Sequence, residues 1–317
     1  MIHRTDPAPE EPRPGGNGDR ASKTGAGLGL RASEQSAGLR RLLSRNFVRS
    51  VTFVGGKGGI GRTAVLCSIA AALSRQGRSV LLLDQNRGRA SAIAGLGLSR
   101  GRDLADHIEH DIALEEIVQQ GPDGLRLVAA ARAFDLMGRQ VPAREDQLAR
   151  QFERLAPRLD YLLVDAPAGE AIHSPSLSLA SQEVVVMVSP QPESVTGAYA
   201  LIRRLSWDLA SRRFHIVANR VRSAEQGGIL FDNIACATRR YLSLDLDYLG
   251  CVPEDDAMRR AGRLRQPLHR LFPDSAAAVA CGLLAEAIDQ WPYPGEDCLD
   301  GVVQRLLQPR RAAAFSG

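Results

Sequence analysis

With 317 residues, 44% of them hydrophobic and 24% charged, the chain has the makeup of a water-soluble globular protein, large enough for one α/β domain or two smaller ones. Its formal net charge is +4, and residues 1–50 hold nine Arg/Lys against five Asp/Glu, so the whole excess lies there and residues 51–317 are neutral. That distribution argues against a basic nucleic-acid-binding body, no run approaches the ~18 apolar residues of a spanning helix, and the five scattered cysteines (Cys67, Cys236, Cys251, Cys281, Cys298) show no C-x-x-C or Cys/His metal spacing.

Residues 1–31 are rich in Pro, Gly and charged groups, which predicts a disordered tail; they carry no apolar signal-peptide run, which predicts a cytoplasmic protein. Over 32–46, Ser33 is a helix cap and Gln35, Leu39, Leu42 and Leu43 recur at helical spacing. Gln35 and Leu39 share one face with Arg40 beside them, the pattern of a helix that docks on a partner. Gly38 weakens that helix in isolation by up to ~1 kcal/mol, as suits a segment that orders on binding.

Val51-Thr52-Phe53-Val54 predicts a strand, and a helix is predicted from Thr63 to Arg75. Between them runs Gly56-Lys57-Gly58-Gly59-Ile60-Gly61-Arg62-Thr63, with Ala64 following. Strand, glycine-rich loop and helix form the setting of the phosphate-binding loop G-x-x-x-x-G-K-[ST], whose backbone N–H groups cradle phosphates and whose hydroxyl reaches Mg²⁺. The final lysine of that pattern is Arg62 here, while Lys57 stands second in the loop. Of 40 Lys+Arg only Lys23 and Lys57 are lysines, so a compact ammonium has been kept at 57 in a chain that otherwise uses arginine.

Further apolar runs, Val80–Leu83, Leu125–Ala129, Tyr161–Val164, Val184–Val188, His215–Ala218 and Leu246–Cys251, alternate with helical segments near 145–156, 194–210, 225–240 and 274–290. This predicts one α/β P-loop NTPase domain over 48–292, a mainly parallel sheet covered by helices on both faces. Asp84 and Asp165 each close an apolar strand, where a carboxylate beside a phosphate loop orients the water shell of Mg²⁺. Residues 293–317 form a tail in which Leu299, Val302, Val303, Leu306 and Leu307 mark a short amphipathic helix, suited to packing on the domain or a partner or to touching a membrane surface.

The loop with its early lysine resembles the deviant Walker A of the MinD/ParA ATPases. Leu81-Leu82-Leu83-Asp84, Asp165-Ala166-Pro167-Ala168-Gly169, Ser189-Pro190-Gln191-Pro192-Glu193-Ser194, Asn219-Arg220 and Val252-Pro253-Glu254-Asp255 resemble further motifs of that family, in order, over residues 48–290. The resemblance implies a MinD-like three-layer fold, ATP and Mg²⁺ as ligands, and an ATP-dependent homodimer in which Lys57 reaches phosphates across the interface. It implies that Gly56 through Ala64, with Asp165, hold the nucleotide, that Asn219 and Pro253 lie near the adenine, and that Thr63, Asp84 and Asp165 attend the metal.

Two positions depart from the family. Arg62 replaces the loop lysine, and the family's switch D-x-D reads Asp84-Gln85-Asn86, so a water-positioning carboxylate is an amide that accepts no proton. With Lys57, Asp84 and Asn86 as the catalytic set, ATP binding with slow or lost hydrolysis is expected.

Within the family, Glu34-Gln35-Ser36-Ala37-Gly38-Leu39-Arg40 resembles the D-Q-A-x-x-L-R motif of the FlhG (FleN/YlxH) branch, regulators of flagellar number. That resemblance implies docking on an FlhF-type GTPase through Gln35, Leu39 and Arg40, a flagellar-base or transcriptional-regulator partner, and a place in the cytoplasm or at the inner face of the membrane. A non-hydrolysing adaptor on the same fold, a BcsQ-like accessory ATPase of cellulose synthesis, and ParA-like cargo positioning are the alternatives. The neutral body speaks against direct nucleic-acid binding.

Overall fold

Val, Ile and Leu runs with no polar alternation form strands buried on both faces, and they must be roofed by helices on each side. The computed structural model describes residues 48–99, 101–133, 159–167, 181, 183–208 and 213–292. The strands are β1 (Arg49–Gly55), β2 (Val80–Asp84), β3 (Gln119–Gln120), β4 (Arg126–Ala129), β5 (Tyr161–Asp165), β6 (Glu183–Val188), β7 (Arg213–Val221) and β8 (Asp247–Pro253). They form one sheet in the order β3-β4-β2-β5-β1-β6-β7-β8. Every pairing is parallel except β3 with β4.

The helices are α1 (Arg62–Arg75), α2 (Ala92–Gly95), α3 (Leu104–His110), α4 (Leu114–Ile117), α5 (Pro192–Asp208), α6 (Ala224–Leu242), α7 (Asp256–Leu264), α8 (Leu268–Leu271) and α9 (Ala276–Asp289). Strand side chains alternate between the two roofs. Val51, Phe53, Leu82, Leu163, Val185 and Val217 pack under α1 and α9. Leu81, Leu83, Leu162 and Val164 face α3 and α4, and Val184, Val186, Phe214 and Ile216 face α5 and α6. This is the three-layer arrangement expected from the sequence. Among the described residues no helix is long and apolar enough to cross a membrane.

The predicted strands all form, with β7 reaching further in both directions than the predicted His215–Ala218. The short antiparallel edge strand β3 and the helices α2, α3, α4, α7 and α8 were not anticipated. Helix α7 is short, with four charged residues among its nine, yet it has a strong local start. One oxygen of Asp255 accepts from Ala257 N at 2.7 Å, capping α7, and the other accepts from Ala277 N at 3.0 Å in the first turn of α9. The predicted tail 1–31, docking helix 32–46 with Gln35, Leu39 and Arg40, helix 145–156 and tail 293–317 lie outside the described residues.

Candidate nucleotide site

The site is built where β1 gives way to α1. Gly59 and Gly61 take the left-handed conformation (φ +77° and +88°), which a residue with a Cβ adopts only with strain. Gly61 stands at the N-cap of α1, where no side chain caps the helix and no acidic residue occupies the first turn. Backbone N–H groups at this end are therefore left for an external anion, with the positive end of the helix dipole behind them.

Two supports fix the loop from below. The Asn219 amide, at the end of β7, donates to the Ile60 carbonyl at 2.6 Å, and a Cβ on Gly61 would fall 2.7 Å from that same nitrogen. On the other side the loop backbone lies against α5: a Cβ on Gly56 would fall 2.0 Å from the carbonyl carbon of Gly197. The sequence marked Gly56 as part of the loop but gave no sign that Gly197 is its counterpart, because only the packing of α5 on β1 brings the two together.

Asp84 and Asp165 end adjacent parallel strands in direct register. Both are buried, and all four carboxylate oxygens receive donors from the chain. Asp165 Oδ1 accepts from Arg62 Nε at 2.7 Å, and Oδ2 from the Thr63 hydroxyl at 2.6 Å. Asp84 Oδ1 accepts from Asn86 N at 3.0 Å, and Oδ2 from the Ser91 hydroxyl at 2.6 Å and Ile93 N at 3.2 Å. The Asn86 amide joins the two halves: its oxygen accepts from Arg62 Nη2 at 3.0 Å and its nitrogen donates to the Asp165 carbonyl at 3.1 Å. Burial pushes the Asp165 carboxyl up to about 6; Asp84 pushes the same way, and Arg62 and Thr63 hold it down. Burial also raises Asp84, against the hydrogen bonds from Ser91 and the backbone.

A cavity of about 340 Å³ opens over the loop. Lys57 through Ala64 and Asn86 line it, and Met258, Ala261, Gln266, Pro267 and Leu268 form its far wall. Those wall residues were not picked out from sequence; their only advance signal was the amphipathic spacing around Met258 and Ala261. Asn219 and Pro253 are not on the lining: Asn219 sits beneath the loop, and Pro253 ends β8 beside Val221. Lys57 is half-exposed at the rim, 3.5 Å from Glu193 at the start of α5. That exposed pair contributes little and is readily broken.

The donor set fits a nucleotide's phosphates and a hard cation. Uncapped N–H groups, glycines that a Cβ would clash with, and two cations, Lys57 and Arg62, suit the phosphates. Thr63, Asp84 and Asp165 offer the oxygens that Mg²⁺ prefers.

Residues 51–268 match the CobQ/CobB/MinD/ParA nucleotide binding domain (CbiA). The chain belongs to this family. Among MinD/ParA relatives, it is 36% identical over 272 residues to the antiactivator FleN of Pseudomonas aeruginosa, covering 85% of this chain and 97% of that protein. It is 26% identical over 243 residues to the flagellum site-determining protein YlxH of Helicobacter pylori, covering 76% and 79%. The septum site-determining protein MinD of Pyrococcus horikoshii, solved with Mg-ADP, superposes with a TM-score of 0.61 at 23% identity, covering 77% of this chain and 97% of that one. This likeness supports the fold, and the MinD/ParA resemblance of the loop and switch motifs agrees with the family match.

Proposed function

We propose that this chain is a MinD-type nucleotide-binding regulator of flagellar number and placement, switched by ATP. One observation carries the reading: the uncapped loop with Lys57, Thr63 and the paired aspartates sits in a chain that spans 97% of the antiactivator FleN. In this reading Gly56 through Ala64 hold the phosphates, Asn219 keeps the loop in shape, and Pro253 and the α7 wall lie toward the base. Thr63, Asp84 and Asp165 supply the oxygens for Mg²⁺, whose chemistry is to neutralise the phosphates. Lys57, paired among the described residues with exposed Glu193, can turn to a nucleotide, and an ATP-bound homodimer is the state it serves.

Turnover in this reading is slow. The chain's own residues around the phosphates provide binding and neutralisation, while Asn86 carries no charge and its amide is already spent on Arg62 and the Asp165 carbonyl. The switch is therefore held rather than rapidly spent. Partners follow the same reading: an FlhF-type GTPase through Gln35, Leu39 and Arg40, and a transcriptional activator or flagellar-base protein on the nucleotide-bound form. A peripheral place on the membrane, through residues 299–307, belongs to the same proposal.

Deletion of the gene tests it. Flagellar number per cell is expected to change, to be restored by the wild-type chain, and to stay altered with Lys57→Ala. Unchanged flagellation, with a defect in cellulose or in chromosome or plasmid positioning, would overturn the flagellar assignment.

A further inference from the structure

The network around Arg62 asks what neutralises the phosphates in this site. Taking the nucleotide-binding reading as its basis, we propose that Arg62 is a built-in cation that stands in for the divalent metal, so that the site holds a nucleoside di- or triphosphate with or without Mg²⁺.

The first argument is occupancy. A carboxylate whose oxygens already accept from the chain's own donors depends less on a metal ion for its neutralisation. Here Asp165 gives Oδ1 to Arg62 at 2.7 Å and Oδ2 to Thr63 at 2.6 Å, and Asp84 gives both of its oxygens to Asn86, Ser91 and Ile93. Asp165 already has its cation, a guanidinium that is 7% exposed.

The second argument is charge. In the buried cluster are two carboxylates and one guanidinium, and Asn86 adds no charge; at the rim Lys57 is paired with Glu193. A carboxylate at 86 would add a further negative charge within hydrogen-bond reach of Arg62. An incoming phosphate would then meet three carboxylates against the one buried guanidinium, and a dication would be favoured to offset the excess. The amide at 86 and the arginine at 62 thus act together: the first removes the charge that makes a metal necessary, and the second supplies a cation in its place.

The third argument is shape. A guanidinium presents five N–H donors in a planar fork. One goes to Asp165 through Nε and one to Asn86 through Nη2. Arg62 also lines the cavity, so its remaining donors can reach a phosphate while Nε keeps its hold on Asp165. A lysine ammonium is a compact, strongly hydrated point charge and does not span the two in this way.

Equilibrium binding of ADP and of ATP, by calorimetry on the full chain, tests the inference in Mg²⁺ buffer and in EDTA. The wild-type affinity is expected to change by less than about threefold between the two, while Asn86→Asp and Arg62→Lys each lose about tenfold or more in EDTA and recover it in Mg²⁺. Arg62→Lys keeps the charge of the cluster and so serves if Asn86→Asp does not fold. A wild-type loss of tenfold or more in EDTA, matching the variants, overturns the inference while leaving nucleotide binding intact. Absence of binding in both buffers overturns the nucleotide reading itself, and the inference with it.

Discussion

Arg62 and Asn86, two positions that stand apart from the MinD/ParA motifs the sequence resembles, touch: Nη2 of the guanidinium donates to the Asn86 amide oxygen at 3.0 Å. They lie 24 residues apart in the chain, and neither departure by itself explains the other. In the folded site they form one contact, in which the planar guanidinium spans the Asp165 carboxylate through Nε and the Asn86 amide oxygen through Nη2.

This contact predicts coupled turnover. ATP hydrolysis by the wild type is expected to be slow, and Arg62→Lys with Asn86→Asp together to raise it by about tenfold or more, because a charged, proton-accepting group is restored near the attacking water. The single changes should sum, in log rate, to less than the double, as residues in contact do not act independently. Phosphate release followed with all four proteins measures this, and a double variant no faster than wild type would place the block elsewhere.

The loop's seat on α5 predicts a strict requirement for glycine at 56. A Cβ there would fall 2.0 Å from the Gly197 carbonyl carbon, so the backbone of the loop or of α5 must shift. Gly56→Ala is expected to cost about 1–3 kcal/mol in urea unfolding and to weaken nucleotide binding with it. Gly59→Ala, which meets nothing within 4 Å and suffers only its left-handed φ, should cost less.

Asp255 predicts a loss of stability transmitted to the cavity wall. One oxygen caps α7 and the other accepts from the first turn of α9, whose own cap is Ser275, so Asp255→Ala removes one cap and one further hydrogen bond at about 1–3 kcal/mol in all. Asp255→Asn retains one acceptor and should recover part of the loss. Thermal unfolding of the three proteins gives the order wild type, Asn, Ala.

Asp165 predicts an acid-side stability slope opposite to the usual one. Its folded pKa, about 6, is raised above the ordinary 3.8, so between those values the native state binds more protons than the unfolded chain. Its contribution is fully present below about pH 4, is lost as pH rises through about 6, and changes no further above. The lowered carboxyls of Asp106 and Asp123 act in the other direction, gaining stability as pH rises. The difference in unfolding free energy between wild type and Asp165→Asn, followed from about pH 4 to pH 7, isolates the term. It should fall with rising pH; a flat difference would show that Asp165 titrates as in the unfolded chain.

Much of this protein was legible without its structure. Apolar runs with no polar alternation announced strands covered on both faces, and the loop's glycines announced left-handed backbone at the mouth of a helix, because such patterns act over a few neighbouring residues. The aspartates at 84 and 165 were legible for the same reason, as polar residues closing apolar strands. Helix α7 was not, since it is only nine residues long and the packing of its Met258 and Ala261 on the core is a tertiary outcome.

Sequence by itself determined the elements, the loop and the two substitutions at 62 and 86, all properties of short stretches of chain. Only the tertiary structure decided that β5 inserts between β1 and β2, which sets Asp165 level with Asp84 and under Arg62. Strand order is chosen by how helices of both roofs bury their apolar faces together, an energy spread over the whole sheet and written in no single segment. That choice turns two isolated departures into one buried network.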